Sequence, residues 1–107
     1  MWVSQDDLNK RILKSTDPEI AVFSAQWCPF CRRFNETIGK ENIDYKTPIE
    51  VIDADSGDGS LWDTYHIDIV PTIIVFRNGK ESFRIDGKSM RGLSQADLET
   101  AIKNVRA

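Results

Sequence analysis

The apolar positions change their spacing several times along the chain, and each change predicts an element. Ser4 stands as an N-cap with Asp7 three residues on, an imperfect capping box. Leu8, Ile12 and Leu13 give a modest apolar face. Asp6 and Asp7 fall in the first turn and Lys10, Arg11 and Lys14 near the end, as a helix dipole prefers. Asp17-Pro18 is expected to break this helix. Ile20 to Ser24 is a short apolar run that reads as a buried strand. After Trp27, Phe30, Phe34 and Ile38 recur every four residues with Cys31 beside them, predicting a second helix that stops at Gly39. Ile49 to Ala54 reads as another buried strand, Asp55 to Gly59 as a loop. Ser60, with Asp63 three on, caps a short helix carrying Leu61, Trp62 and Tyr65. Thr72 to Arg77 is a β-branched strand, Asn78-Gly79 a hairpin turn, and Phe83 and Ile85 alternate in the returning strand. Ser94 caps a last helix with Leu98, Ala101, Ile102 and Val105 on one face. The order is α-β-α-β-α-β-β-α, with a stub strand at Trp2-Val3. A βαβ unit followed by a hairpin gives a mixed central sheet with helices on both faces, an α/β architecture.

Composition adds limits. The 107 residues make one domain, 1–107. Lys and Arg number 14 against 17 Asp and Glu, a net charge of −3, which offers no basic surplus for nucleic acid and no acidic excess for disorder. The longest mainly apolar run, Ile69 to Phe76, is interrupted by Pro71 and Thr72 and is far short of the roughly 20 residues of a membrane helix. Met1 to Asp7 has neither the basic nor the apolar region of a signal peptide, so a cytoplasmic location is expected.

The chemistry-bearing pair is Cys28 and Cys31. A bridge between them closes too small a loop to restrain the unfolded chain, so this is not a disulfide scaffold. With His66 the sole histidine, soft ligands alone do not complete a four-ligand zinc site. A redox pair is the leading reading; two small core residues and half of a shared metal site are the others. Cys28-Pro29-Phe30-Cys31 lies where a buried strand meets a helix. The free N–H groups and dipole of a helix N-terminus stabilise a thiolate at Cys28 relative to the thiol. Arg32 and Arg33 add positive charge within a turn, and Pro29 suits the first helical turn, where no N–H is needed. Cys31, one turn on, is placed to attack a mixed disulfide at Cys28 and release the second thiol. Cys28 is thus the expected nucleophile and Cys31 the resolving thiol. The dithiol itself carries two electrons, so neither cofactor nor metal is expected.

Ala25-Gln26-Trp27-Cys28-Pro29-Phe30-Cys31, with Ile69-Val70-Pro71-Thr72 some forty residues on, resembles the thioredoxin family over about Ile20 to Val105. The resemblance implies a thioredoxin fold, a mixed central sheet of four to five strands flanked by helices on both faces. It implies a cis Pro71 opposite the dithiol, leaving the Val70 backbone free to pair with an extended substrate segment. Trp27, Pro29, Phe30, Val70 and Pro71 then form an apolar substrate groove, and Gly87 matches the family's groove-lining glycine. The implied activity is thiol–disulfide exchange on protein disulfides by a monomer, recycled by a reductase such as thioredoxin reductase or by glutathione.

Two departures bear on mechanism. Thioredoxins carry a buried Asp six residues before the first Cys; here that position is Val22, which cannot accept the proton of the resolving thiol. Pro-Phe between the cysteines resembles the Pro-Tyr of glutaredoxins, and a better stabilised Cys28 thiolate implies a more oxidising couple. A glutathione-linked, glutaredoxin-like enzyme is therefore the first alternative, although Phe76-Arg77-Asn78-Gly79 replaces the Gly-Gly expected after a glutaredoxin hairpin. A module holding a metal or iron–sulfur cluster across a dimer is the second, and a chaperone-like interaction domain a weaker third. The loop Gly87 to Gly92, with Lys88, Met90 and Arg91, is longer than in plain thioredoxins and could alter partner choice. Asp53, Asp55 and Asp58 read as a solvated loop, His66 as a surface residue at a helix end, and Trp62 and Tyr65 as packing for the short helix.

Overall fold

The computed structural model describes residues 2–45, 49–88 and 92–106, with the backbone alone for 40–45 and 106. Five strands form one sheet: β1 (Trp2–Val3), β2 (Glu19–Ser24), β3 (Ile49–Asp53), β4 (Thr72–Arg77) and β5 (Lys80–Ile85), in the order β1-β3-β2-β4-β5. β1 and β2 run parallel to β3, while β4 is antiparallel to both β2 and β5. β2 is central and buried from Ile20 onward. Its side chains alternate between two apolar layers, as the period of two requires. Ala21, Phe23 and Ala25 join Leu8, Ile12, Ile52, Leu61, Ile74 and Phe76 on one face. Ile20 and Val22 join Phe34, Ile38, Ile73, Leu98 and Ile102 on the other.

The helices are α1 (Gln5–Asp7), α2 (Pro29–Tyr45), α3 (Leu61–Thr64) and α4 (Gln95–Arg106). The Ser4 hydroxyl caps α1 by accepting the Asp7 N–H at 3.2 Å. The helix then widens into a π-helical segment, Leu8–Ile12, closed by the Leu13 N–H on the Leu8 carbonyl at 2.9 Å. This turn buries both Leu8 and Ile12 and ends the helix well before Pro18, so Asp17-Pro18 does not terminate it. Tyr65 packs its ring 5.3 Å from Phe23 and 5.5 Å from Phe76, fixing the end of α3 to the sheet. At α4 Ser94 and Asp97 cap reciprocally, the Ser94 N–H on Asp97 Oδ2 at 2.9 Å and the Asp97 N–H on Ser94 Oγ at 3.4 Å.

Two expected boundaries are corrected. Gly39 does not stop α2, which runs on to Tyr45. Gly39 keeps a negative φ there, and glycine inside a helix is a modest cost and not a barrier. Ser60 precedes α3 but does not cap it with its side chain. Its hydroxyl is occupied by Gln5 Nε2 at 2.9 Å, which ties the start of α3 to α1. The hairpin turn is as expected: Asn78 and Gly79 take φ of 53° and 78°, as a two-residue type I′ turn needs. No helix among the described residues is long and apolar enough to cross a membrane.

Candidate active site

β2 ends at Ser24, and α2 begins at Pro29 after four intervening residues. Between them the chain turns, with the Cys28 N–H on the Ala25 carbonyl at 3.2 Å. Cys28 sits in the capping position of α2. Its carbonyl accepts the Arg32 N–H at 3.2 Å, and its Sγ accepts the Cys31 N–H at 3.3 Å. The sulfur thus stands where a capping oxygen ordinarily would, facing the positive end of the helix. The thiol hydrogen of Cys28 is directed at the Val70 carbonyl, 3.7 Å away. Both cysteines are free thiols; Cys28 is 4% exposed and Cys31 fully buried.

The two sulfurs differ in environment. Burial pushes the Cys31 thiol up to about 12, and its contact with Cys28 adds to the rise; the Ala25 backbone and the Ser24 hydroxyl pull the other way. Val22 is fully buried among Phe34, Ile38 and Ile73, and places no titratable group on its face of β2.

Opposite Cys28, the Val70–Pro71 peptide is cis. Thr72 holds this segment: its hydroxyl donates to the Ile69 carbonyl at 2.6 Å and accepts the Gly87 N–H at 3.5 Å. A Cβ on Gly87 would collide with the Pro71 carbonyl oxygen, so only glycine lets the two segments approach this closely.

A groove of about 300 Å³ opens over Cys28, lined by Trp27, Pro29, Phe30, Trp62, Asp68, Ile69 and Val70. Trp27 is 65% exposed and Phe30 half-buried. Pro71 is buried beside Val70 and does not line the groove. Gly87 lines a neighbouring depression of about 400 Å³, with His66, Asp68, Ile69, Arg84 and Asp86, and not the groove itself. Asp68 and Ile69 are the shared wall.

Trp62, read from sequence as packing for α3, is a wall of the groove. It stacks on Trp27 at 6.4 Å and 10° between ring planes. Both indole N–H groups donate to one carboxylate, Trp27 to Asp55 Oδ2 at 2.8 Å and Trp62 to Asp55 Oδ1 at 2.9 Å. Nothing in the spacing of Asp55 announces this, because the link crosses from one loop to another. Arg33 lies over the Phe30 ring at 5.6 Å. Gly92, at φ 71°, also abuts Phe30, where a Cβ would come within 3.0 Å of the Phe30 Cβ. Lys88 and Gly92 close the loop ends by paired backbone bonds of 3.2 and 2.8 Å, while Met90 and Arg91 lie outside the described residues. His66 is exposed just beyond α3, with φ 53°. Among the described residues no three His, Cys, Asp or Glu side chains gather as a metal site would need.

The family model for thioredoxin matches residues 1–104. The chain belongs to the thioredoxin family. It is 30% identical over 80 residues to a thioredoxin of Griffithsia pacifica, covering 74% of this chain and 73% of that protein. A probable thioredoxin-2 of Caenorhabditis elegans is 29% identical over 109 residues, covering 97% of this chain and 70% of that protein. Two solved structures share the fold. The X-ray structure of Fasciola hepatica thioredoxin has a TM-score of 0.77 at 22% identity, covering 94% of this chain and 93% of that one. A mutant thioredoxin from Halobacterium salinarum NRC-1 reaches 0.79 at 20% identity, over 100% and 90%. Thioredoxins are disulfide oxidoreductases that act on protein disulfides and are themselves reduced by a reductase; this chain is a thiol–disulfide oxidoreductase of that family.

Proposed function

We propose that this thioredoxin-family protein reduces protein disulfides through a mixed disulfide at Cys28 that Cys31 resolves. One observation carries the assignment of roles: the Cys28 sulfur caps α2, accepts the Cys31 N–H at 3.3 Å and lies under the groove. Negative charge on that sulfur is favoured by the amide and by the helix dipole. Its thiolate attacks one sulfur of the substrate disulfide; that S–S bond breaks, and the first substrate thiolate leaves and takes up a proton. Cys31, once deprotonated, attacks the Cys28 sulfur, and the second substrate thiol departs. The protein dithiol is oxidised to a disulfide by two electrons and the substrate disulfide is reduced by two.

Trp27, Pro29, Phe30 and Val70 bind the extended segment around the substrate cysteine, with Pro71 and Gly87 supporting Val70 from behind. The reading requires neither a bound cofactor nor a metal. A monomer in the cytoplasm, where thiols are kept reduced, fits this chemistry. The Pro-Phe dipeptide and the absence of an acid at Val22 support a couple more oxidising than the roughly −270 mV of ordinary thioredoxin.

Trapping tests the roles. Cys31→Ser should accumulate a mixed disulfide with a protein substrate, and Cys28→Ser should form none. Retention of reductase activity by Cys28→Ser would overturn the reading. Recycling by a thioredoxin reductase and not by glutathione would separate a thioredoxin from a glutaredoxin-like role.

A further inference from the structure

Asp68 and Ile69 separate the groove over Cys28 from the depression beside it. Ile69 is 37% exposed; among the described residues it and Trp27 are the large apolar side chains left open. Asp68 is exposed too, and its carboxylate has no hydrogen bond or ion pair to any described residue. Arg84 of the depression is, by contrast, saturated. Its Nε donates to Asp86 Oδ1 at 3.1 Å. Its Nη1 donates to the Tyr65 carbonyl at 2.7 Å and Glu81 Oε1 at 3.3 Å, and its Nη2 to the His66 carbonyl at 3.4 Å and Asp86 Oδ1 at 2.7 Å. A guanidinium has no further N–H to give, so Arg84 offers an anion nothing. Its charge is met within the protein by Glu81 and Asp86, and Lys88 lines neither recess. The unmatched charge at this wall is therefore the negative one of Asp68. The Phe30 wall of the groove has the opposite sign, since the Arg33 guanidinium lies over the Phe30 ring at 5.6 Å.

We propose that Asp68 and Ile69 form a subsite for a lysine or arginine of the substrate chain, close in sequence to the cysteine whose disulfide Cys28 attacks. The proposal rests on the disulfide exchange at Cys28 argued above and adds a substrate class to it. Lysine and arginine carry a charged head on a long apolar stem. Ile69 gives the stem an apolar surface, and the Asp68 carboxylate accepts from the head. An extended chain rises about 3.3 Å per residue, so residues one or two from the substrate cysteine stay within the groove and the depression. The two walls differ in sign, so the preference has a side: a basic residue helps on one flank of the cysteine and not on the other. The subsite binds and orients, and the bonds made and broken at sulfur are unchanged.

Symmetrical disulfides of short single-cysteine peptides test this, with lysine, alanine or glutamate placed one or two residues to either side of the cysteine. The readout is the second-order rate constant for oxidation of the reduced full-length protein at low salt. Lysine on one flank should react about threefold faster than alanine there, the scale of an exposed ion pair, and glutamate more slowly. Added salt should shrink the difference. In Asp68→Asn the ratio of lysine to alanine peptide should fall to about one, and in Asp68→Lys the glutamate peptide should become the faster. A misfolded variant would slow all peptides alike and could not invert their order. Equal rates for the three peptides, or a lysine preference kept by Asp68→Asn, would overturn the proposal. An equal gain from lysine on both flanks would reflect the net charge of −3 and would overturn it as well. Failure of every peptide to oxidise the protein would instead remove disulfide exchange itself, which sets the two failures apart.

Discussion

Each oxygen of the Asp55 carboxylate carries an indole, and the two indoles together make one wall of the groove. Asparagine at this position keeps one acceptor and turns the other into a donor facing an N–H. One indole is therefore released in Asp55→Asn. A hydrogen bond to a charged group is worth about 1.5–3 kcal/mol, and at this exposed rim closer to 1. That corresponds to about a fivefold rise in KM for a protein disulfide with kcat little changed. Steady-state kinetics check it, and tryptophan fluorescence should report the released ring. Val22 calls for the converse experiment. Val22→Asp buries a carboxyl among Phe34, Ile38 and Ile73, which should cost about 2–4 kcal/mol of stability in denaturant titration. It should also speed resolution of the mixed disulfide at neutral pH by giving the Cys31 proton an acceptor; an equal or slower rate would dismiss that role for the acid. Cys28, Cys31 and the Val22 replacement were legible in the sequence because the chemistry is written in a short motif. Asp55 and Trp62 were not, because their roles exist only once two loops 28 residues apart are brought together by β2 and β3.

At the level of elements, α2 departs most from what its sequence suggests. Gly39 marks a stop only if the chain needs a left-handed residue there, and tertiary packing of Phe34 and Ile38 carries the helix past it. Gly39 is exposed, and a Cβ there would meet nothing within 4 Å. Gly39→Ala should therefore stabilise the protein by about 0.5–1 kcal/mol, raising Tm by a few degrees in calorimetry with activity intact. The π-helical segment and the idle Ser60 cap were illegible for a related reason. The capping pattern is local, while the partner that takes the Ser60 hydroxyl, Gln5, lies 55 residues away. Where signal and contact were both local, as at Ser94 with Asp97 and at Asn78-Gly79, the sequence alone sufficed.

Across the whole molecule, the raised Cys31 thiol couples redox chemistry to folding. The folded reduced chain keeps its proton up to about 12, whereas the unfolded chain releases it near the ordinary value of 9.0. Between those values the folded state binds more protons, so stability falls as pH rises. Reduced wild-type protein should lose stability from about pH 9 to about 12 relative to reduced Cys31→Ser, measured by urea unfolding. Parallel curves would show that Cys31 titrates normally. The sheet order was only partly legible: the parallel pair of β2 and β3 and the β4–β5 hairpin follow from local rules, but the antiparallel meeting of β2 and β4 does not.

That order also decides which parts of the backbone a foreign strand can reach. One border of the sheet is β1, with just two residues; the other is β5, which carries Lys80, Glu81 and Arg84 and has a register shift against β4. Short, charged or irregular borders discourage copies of a protein from zipping together edge to edge. A protein proposed to receive extended segments of other chains is exposed to that hazard. Its borders work against self-association in crowded solution, while Val70, which lines the groove over Cys28, lies away from either border.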